Sequence, residues 1–201
     1  YEEQDVTFSL YVAKSQSSAF IFVISQATTT TEIRYIAADK PLAPLTLFDA
    51  RQPGIEYNVE HWEQDFIIMT NKDAINFKLL RCPVENIAQR SVLVPYDETY
   101  FIESIYPFKQ QIYIAGRANG LEQVFRIEND ELIPLAWDEP IYSVSIASNQ
   151  DYNADEVLVH YESFVTPKTT FGIQLENGEK AKIQQAEVTG DYDDKNYVQK
   201  Q

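Results

Sequence analysis

The sequence predicts an all-β fold, a β-propeller of four blades with four antiparallel strands each. Three observations carry that prediction: a unit of roughly 45 residues written four times, four strand-like segments in each unit, and almost no helical periodicity. A four-strand unit of this length cannot bury both faces of its own sheet, so it must stack on a neighbour.

The first unit offers TFSLYV (Thr7–Val12), AFIFVIS (Ala19–Ser25), EIRYIA (Glu32–Ala37) and LTLF (Leu45–Phe48). The second offers IEYNVEHW (Ile55–Trp62), DFIIMTN (Asp65–Asn71), NFKLLRC (Asn76–Cys82) and SVLVP (Ser91–Pro95). The third reads TYFIESIY (Thr99–Tyr106), QQIYIAG (Gln110–Gly116), LEQVFRI (Leu121–Ile127) and ELIPL (Glu131–Leu135). The fourth reads IYSVSIA (Ile141–Ala147), EVLVHYES (Glu156–Ser163), TTFGIQL (Thr169–Leu175) and EKAKIQQ (Glu179–Gln185). Each segment is rich in β-branched and aromatic residues and is bounded by turn formers. The units open at Phe8, Ile55, Tyr100 and Ile141, steps of 47, 45 and 41 residues by subtraction. Blades are expected at about 6–50, 51–97, 98–138 and 139–188, in one domain, with an exit segment at 189–201.

The pattern within strands agrees. Val124 and Arg126 alternate with Phe125 and Ile127, as on a sheet whose faces differ. FIFVI (Phe20–Ile24) is apolar on both faces, which predicts a strand sandwiched between two sheets. Aromatic content of 13% and hydrophobic content of 44% supply a packed core. The longest apolar run, Ala19–Ile24, is far short of a membrane span.

Chemistry is marked mainly by missing motifs, and no catalytic, cofactor or metal residue is expected. Gly116 and Gly120 have the spacing of a nucleophile elbow, but the segment is GRANG with Ala118 where the serine belongs. A hairpin turn at Ala118-Asn119-Gly120 is expected there instead. No phosphate-binding or dinucleotide-binding glycine loop is present. Cys82 is a lone cysteine, and His61 and His160 stand apart without companions, so a zinc site is not expected. Both histidines are expected to be packed and hydrogen-bonded rather than channel ligands. Adjacent carboxylates, Glu2 with Glu3 and Asp193 with Asp194, point to opposite sides and are not expected to form an acid/base pair.

With 16 basic against 31 acidic residues the net charge is −15, which disfavours nucleic acid and anionic membranes as partners. Acidic turns such as END (Glu128–Asp130) and DYDD (Asp191–Asp194) read first as solubilising. A reduced, cytoplasmic compartment, or the periplasm, is the expected setting.

Several segments resemble the propeller domain of the prolyl oligopeptidase family, in particular its oligopeptidase B branch. They are YEEQDVTFSL (Tyr1–Leu10), TTTTEIRYI (Thr28–Ile36) and GIEYNVEHWEQDFIIMTNKDAINFKLL (Gly54–Leu80), the last with the pattern G-x-x-Y-x-x-x-H. NGL (Asn119–Leu121), EPIYSV (Glu139–Val144), YESFVTPKTTF (Tyr161–Phe171) and GDYDDKNY (Gly190–Tyr197) follow in the family's order. The resemblance implies a seven-bladed propeller capping an α/β-hydrolase domain that carries the catalytic Ser, Asp and His, with cleavage of short peptides after Arg or Lys. It implies that this chain holds the last four blades and none of the catalytic residues. The expected partners are then that hydrolase domain and short basic peptides, with the cap acting by exclusion and its charge steering basic substrates. A free-standing propeller scaffold for protein interactions is the alternative.

Four blades without the rest predict two exposed blade faces, both apolar, and pairing with a second copy through them. An open arc is favoured over a closed four-bladed ring.

Overall fold

The computed structural model describes residues 1–190 and 196–197. Most of the expected exit segment, 191–195 and 198–201, lies outside the described residues, Asp193 and Asp194 included. The described chain is sixteen strands in four separate four-stranded antiparallel sheets.

Blade 1 comprises β1 (Ser9–Lys14), β2 (Phe20–Ala27), β3 (Thr30–Ala37) and β4 (Thr46–Asp49). Blade 2 comprises β5 (Tyr57–Trp62), β6 (Asp65–Thr70), β7 (Lys78–Pro83) and β8 (Ser91–Val94). Blade 3 comprises β9 (Tyr100–Pro107), β10 (Ile112–Ala118), β11 (Leu121–Glu128) and β12 (Glu131–Pro134). Blade 4 comprises β13 (Tyr142–Ile146), β14 (Glu156–Ser163), β15 (Thr169–Gln174) and β16 (Lys180–Gln185). Every predicted segment is a strand, displaced by at most a few residues at its ends. Sequential order within each sheet follows from short hairpins.

Turn chemistry sets the tightest connections. Asn119 and Gly120 both take positive φ (52° and 79°) between the paired residues Ala118 and Leu121, the geometry a two-residue hairpin turn requires. Asn129 and Asp130 do the same between Glu128 and Glu131. At Gly116 the need is for space. A methyl group there would sit 2.3 Å from the Phe101 carbonyl oxygen, where β9 and β10 slip register.

Three cores join successive blades. Phe20, Phe22, Ile33 and Phe48 of blade 1 pack on Tyr57, Val59, Phe66, Ile68 and Cys82 of blade 2. Ile67, Met69 and Leu79 on the other face of blade 2 pack on Ile105, Ile114 and Phe125 of blade 3. Tyr113, Val124 and Leu135 of blade 3 then meet Val157, Val159, Tyr161 and Ile173 of blade 4. Strand parity explains the division: in β6, Phe66 and Ile68 face one neighbour while Ile67 and Met69 face the other. Among the described residues no core joins blade 4 back to blade 1, so the four blades form an open arc rather than a ring.

The end faces correct two expectations. FIFVI is covered on one side only, with Phe20 and Phe22 buried and Ile21 and Val23 half-buried on the free side. Burial on both faces is found instead in β6 and β10 of the inner blades. The free faces are also not both apolar. In register on blade 1's free face stand Leu10, Val12, Ile21, Val23, Ile36 and Leu47. Blade 4 instead turns outward Ser143, Ser145, His160, Glu162 and Thr170, with Leu158 and Ile183 among them, because Val157, Val159 and Tyr161 of β14 are used against blade 3.

Candidate functional site

The arc has two different ends. At one lie the hairpins between the first and second strands of each blade. At the other, the first strand of each blade begins and the fourth finishes, so β16 delivers the chain to that second end.

The hairpin end is laced together across blades. The Gln16 backbone N–H donates to Glu60 Oε2 (3.1 Å), and its side-chain Nε2 donates to the Asn149 carbonyl of blade 4 (2.6 Å). Trp62 Nε1 donates to the Phe108 carbonyl (2.8 Å), Lys109 N–H to the Tyr152 carbonyl (2.8 Å), and Glu63 N–H to the Tyr152 hydroxyl (3.2 Å). These bonds link all four blades, and Gln16 to Asn149 spans from the first to the last. Burial raises the Glu60 carboxyl to about 7, only partly offset by the backbone N–H groups of Gln16 and His61.

His61 lies at this end with its Nδ1 2.8 Å from Ser17 Oγ, its ring packed against Phe20 and Phe66. Burial holds the imidazole below its usual value. A serine bonded to a histidine is also how nucleophilic machinery begins. Here, however, no carboxylate hydrogen-bonds to the ring among the described residues, and two phenylalanines flank it. The pair ties the blade 1 hairpin to blade 2. His160 sits on the free face of blade 4, bonded through Nδ1 to Thr170 Oγ1 (3.1 Å), far along the arc from His61. Cys82 is buried in the blade 1–blade 2 core, which pushes its thiol up. No group of three or more potential metal-ligating side chains occurs among the described residues.

Sequence reasoning missed a charged cluster on blade 1. Arg51 bridges Glu3 (2.6 Å) and Glu32 (3.1 Å), and Glu32 also holds Arg34. Tyr1 lies on the Arg34 guanidinium and Phe8 on that of Arg51. The segment ahead of β1 therefore covers one corner of the free face, and the Arg51 bond drives the Glu3 carboxyl well below its usual range. Glu2 and Glu3 thus act separately. The only sequence hint was a run of charges near the start, with nothing to pair residues 48 positions apart.

The opposite end is bonded between neighbouring blades as well: the Thr31 N–H donates to the Ile55 carbonyl (3.1 Å), the Ile102 N–H to the Asn76 carbonyl (3.1 Å) and Gln123 Nε2 to the Tyr142 hydroxyl (2.6 Å). Between blades 1, 2 and 3 it carries a cavity of 650 Å³.

Residues 1–186 match the family described as prolyl oligopeptidase, N-terminal beta-propeller domain. The chain belongs to that family. It is 49% identical to Protease 2 of Moraxella lacunata over its whole length, and 30% identical to dipeptidyl aminopeptidase BI of Pseudoxanthomonas mexicana over 98% of it. It spans 29% and 28% of those two proteins, so it corresponds to under a third of either. Among solved structures it superposes on oligopeptidase B of Trypanosoma brucei with a TM-score of 0.89 at 26% identity, covering 98% of this chain and 30% of that one. Oligopeptidase B of Leishmania major gives 0.88 at 27%, with the same coverage. This is a prolyl oligopeptidase-family propeller segment by sequence and by shape.

Proposed function

We propose that the chain is the non-catalytic propeller portion of a serine oligopeptidase that cleaves short peptides after Arg or Lys, and that it caps a hydrolase domain and restricts access to it. The observation that carries the reading is the similarity to Protease 2 along the whole of this chain. One relative, the Trypanosoma brucei enzyme, was captured in a closed form with covalently bound antipain, which supports a cap that closes over a ligand. β16 delivers the chain to the end that carries the 650 Å³ cavity, the side where a following hydrolase domain would attach. The net charge of −15 favours approach of basic peptides. A cytoplasmic or periplasmic setting belongs to the same proposal. The named relatives are peptidases, which favours this reading over a free-standing scaffold.

The test is hydrolysis by the full-length protein that contains this segment. Short peptides are expected to be cut after Lys or Arg, with rates that fall as ionic strength rises, while folded proteins carrying the same residues survive. Cleavage after other residues, or equal attack on folded proteins, would overturn the reading.

A further inference from the structure

We propose that the cavity between blades 1, 2 and 3 is a subsite for an extended peptide segment, with Glu56 taking the cationic head of a Lys or Arg side chain remote from the bond that is cut. This rests on the cap reading above and adds a place and a residue to it.

Glu56 immediately precedes β5, and its backbone is fixed before any ligand arrives. Its N–H donates to Asn71 Oδ1 (2.8 Å), and its carbonyl accepts from the Asn71 N–H (3.1 Å) and the Thr70 hydroxyl (3.3 Å). Asn71 in turn donates from its side chain to the Gly54 carbonyl (3.1 Å), anchoring the turn before it. With the backbone held, only the side chain of Glu56 has to be ordered on binding.

The cavity's charge is one-sided. Glu103 lines it too, but pairs with Arg117 (2.8 Å). Glu56 is in no ion pair among the described residues, and neither Lys nor Arg lines the cavity. Neutral polar groups, Gln26, Thr31, Asn58 and Asn71, share the remaining walls with apolar ones: Ile33 and Met69 are buried, and Phe77 and Phe101 meet edge to face at 5.8 Å. Aromatic walls beside a carboxylate suit the aliphatic stem and charged head of Lys or Arg. At 650 Å³ the space falls in the range of pockets that enclose a small organic ligand or a few peptide residues, and it is far too large for an ion. Phosphates and other anions are repelled by Glu56.

The experiment compares two substrates of the full-length protein: a blocked single-arginine chromogenic amide, and a six-residue peptide with a second Lys placed away from the cleaved bond. Glu56→Gln is expected to raise KM for the longer peptide about threefold to fivefold, as for a partly exposed ion pair, with kcat and the short substrate unchanged. Glu56→Lys raises it further, and an unchanged thermal midpoint shows that both variants fold. If Glu56→Gln leaves the longer peptide's KM unaltered, the subsite is overturned while cleavage after Arg and Lys stands. If neither substrate is cleaved by the wild type, the cap reading falls and the subsite with it.

Discussion

Blades 1 and 4 end the same arc, yet their free faces are made differently. Blade 1 presents aliphatic side chains in register, with Val12 72% exposed, and one corner closed by the Glu3–Arg51–Glu32 cluster. Blade 4 presents Ser143, Ser145, His160 and Thr170. A strand has two faces and only one set of apolar residues to allot. In β2 both parities are apolar, so the strand serves blade 2 and still leaves an apolar free side. In β14 Val157, Val159 and Tyr161 are used against blade 3, and the outward parity holds Glu156, His160 and Glu162 with Leu158 as its one apolar residue. Apolar contact is therefore expected from the blade 1 face alone, and symmetric pairing through both faces is not.

The sharpest way to break this comparison is to detach the blade that carries the apolar face. Phe66 is fully buried against Phe20, Tyr35 and Phe48, so Phe66→Ala should cost about 3–5 kcal/mol in denaturant unfolding. An equal loss from Val159→Ala behind blade 4 would contradict the weight placed on the aromatic interface. Protonation acts on the blade 1 side next. Glu60 is raised to about 7 by burial, so the folded state resists its ionisation, and stability should fall as pH rises from about 4.5 to about 7. Glu60→Gln should remove that slope and gain about 1–3 kcal/mol at pH 8, with no gain at pH 4, measured by urea titration at each pH. Glu32 works in the opposite sense: burial would raise it, but bonds from Arg51 and Arg34 outweigh burial and hold it low. Its contribution is present above about 4.5 and disappears as pH falls below that value. The smallest effect on stability comes from Val12→Asp, within about 0.5 kcal/mol, because the site is exposed. Sedimentation of the 201-residue chain should nonetheless show weaker self-association for Val12→Asp, whereas Ser145→Asp on blade 4 should change nothing.

Much of the architecture was legible because its signals are local. Asn119-Gly120 announces its own turn, and the alternation in LEQVFRI places Val124 and Phe125 in different cores as written. FIFVI misled because apolarity states what a face can tolerate and not what covers it. Blade 4's polar face was present in the letters of EVLVHYES, but the assumption that both ends are cut interfaces overrode the alternation. The hairpin lacing was beyond reach. Gln16 and Asn149 are 133 residues apart, joined by one side-chain bond that no periodicity encodes. The cavity draws its lining from three blades, the runs Glu56–Asn58 and Phe101–Glu103 included, and no periodicity in the sequence brings those runs together.

The lacing of the four hairpins also limits how the arc can move. Bonds from Gln16, Trp62, Glu63 and Lys109 fix that end much as a rivet fixes the sticks of a hand fan. The opposite end is tied too, Thr31 to Ile55 and Ile102 to Asn76, so the sticks cannot spread and the rim where Glu56 and Phe101 stand keeps its spacing.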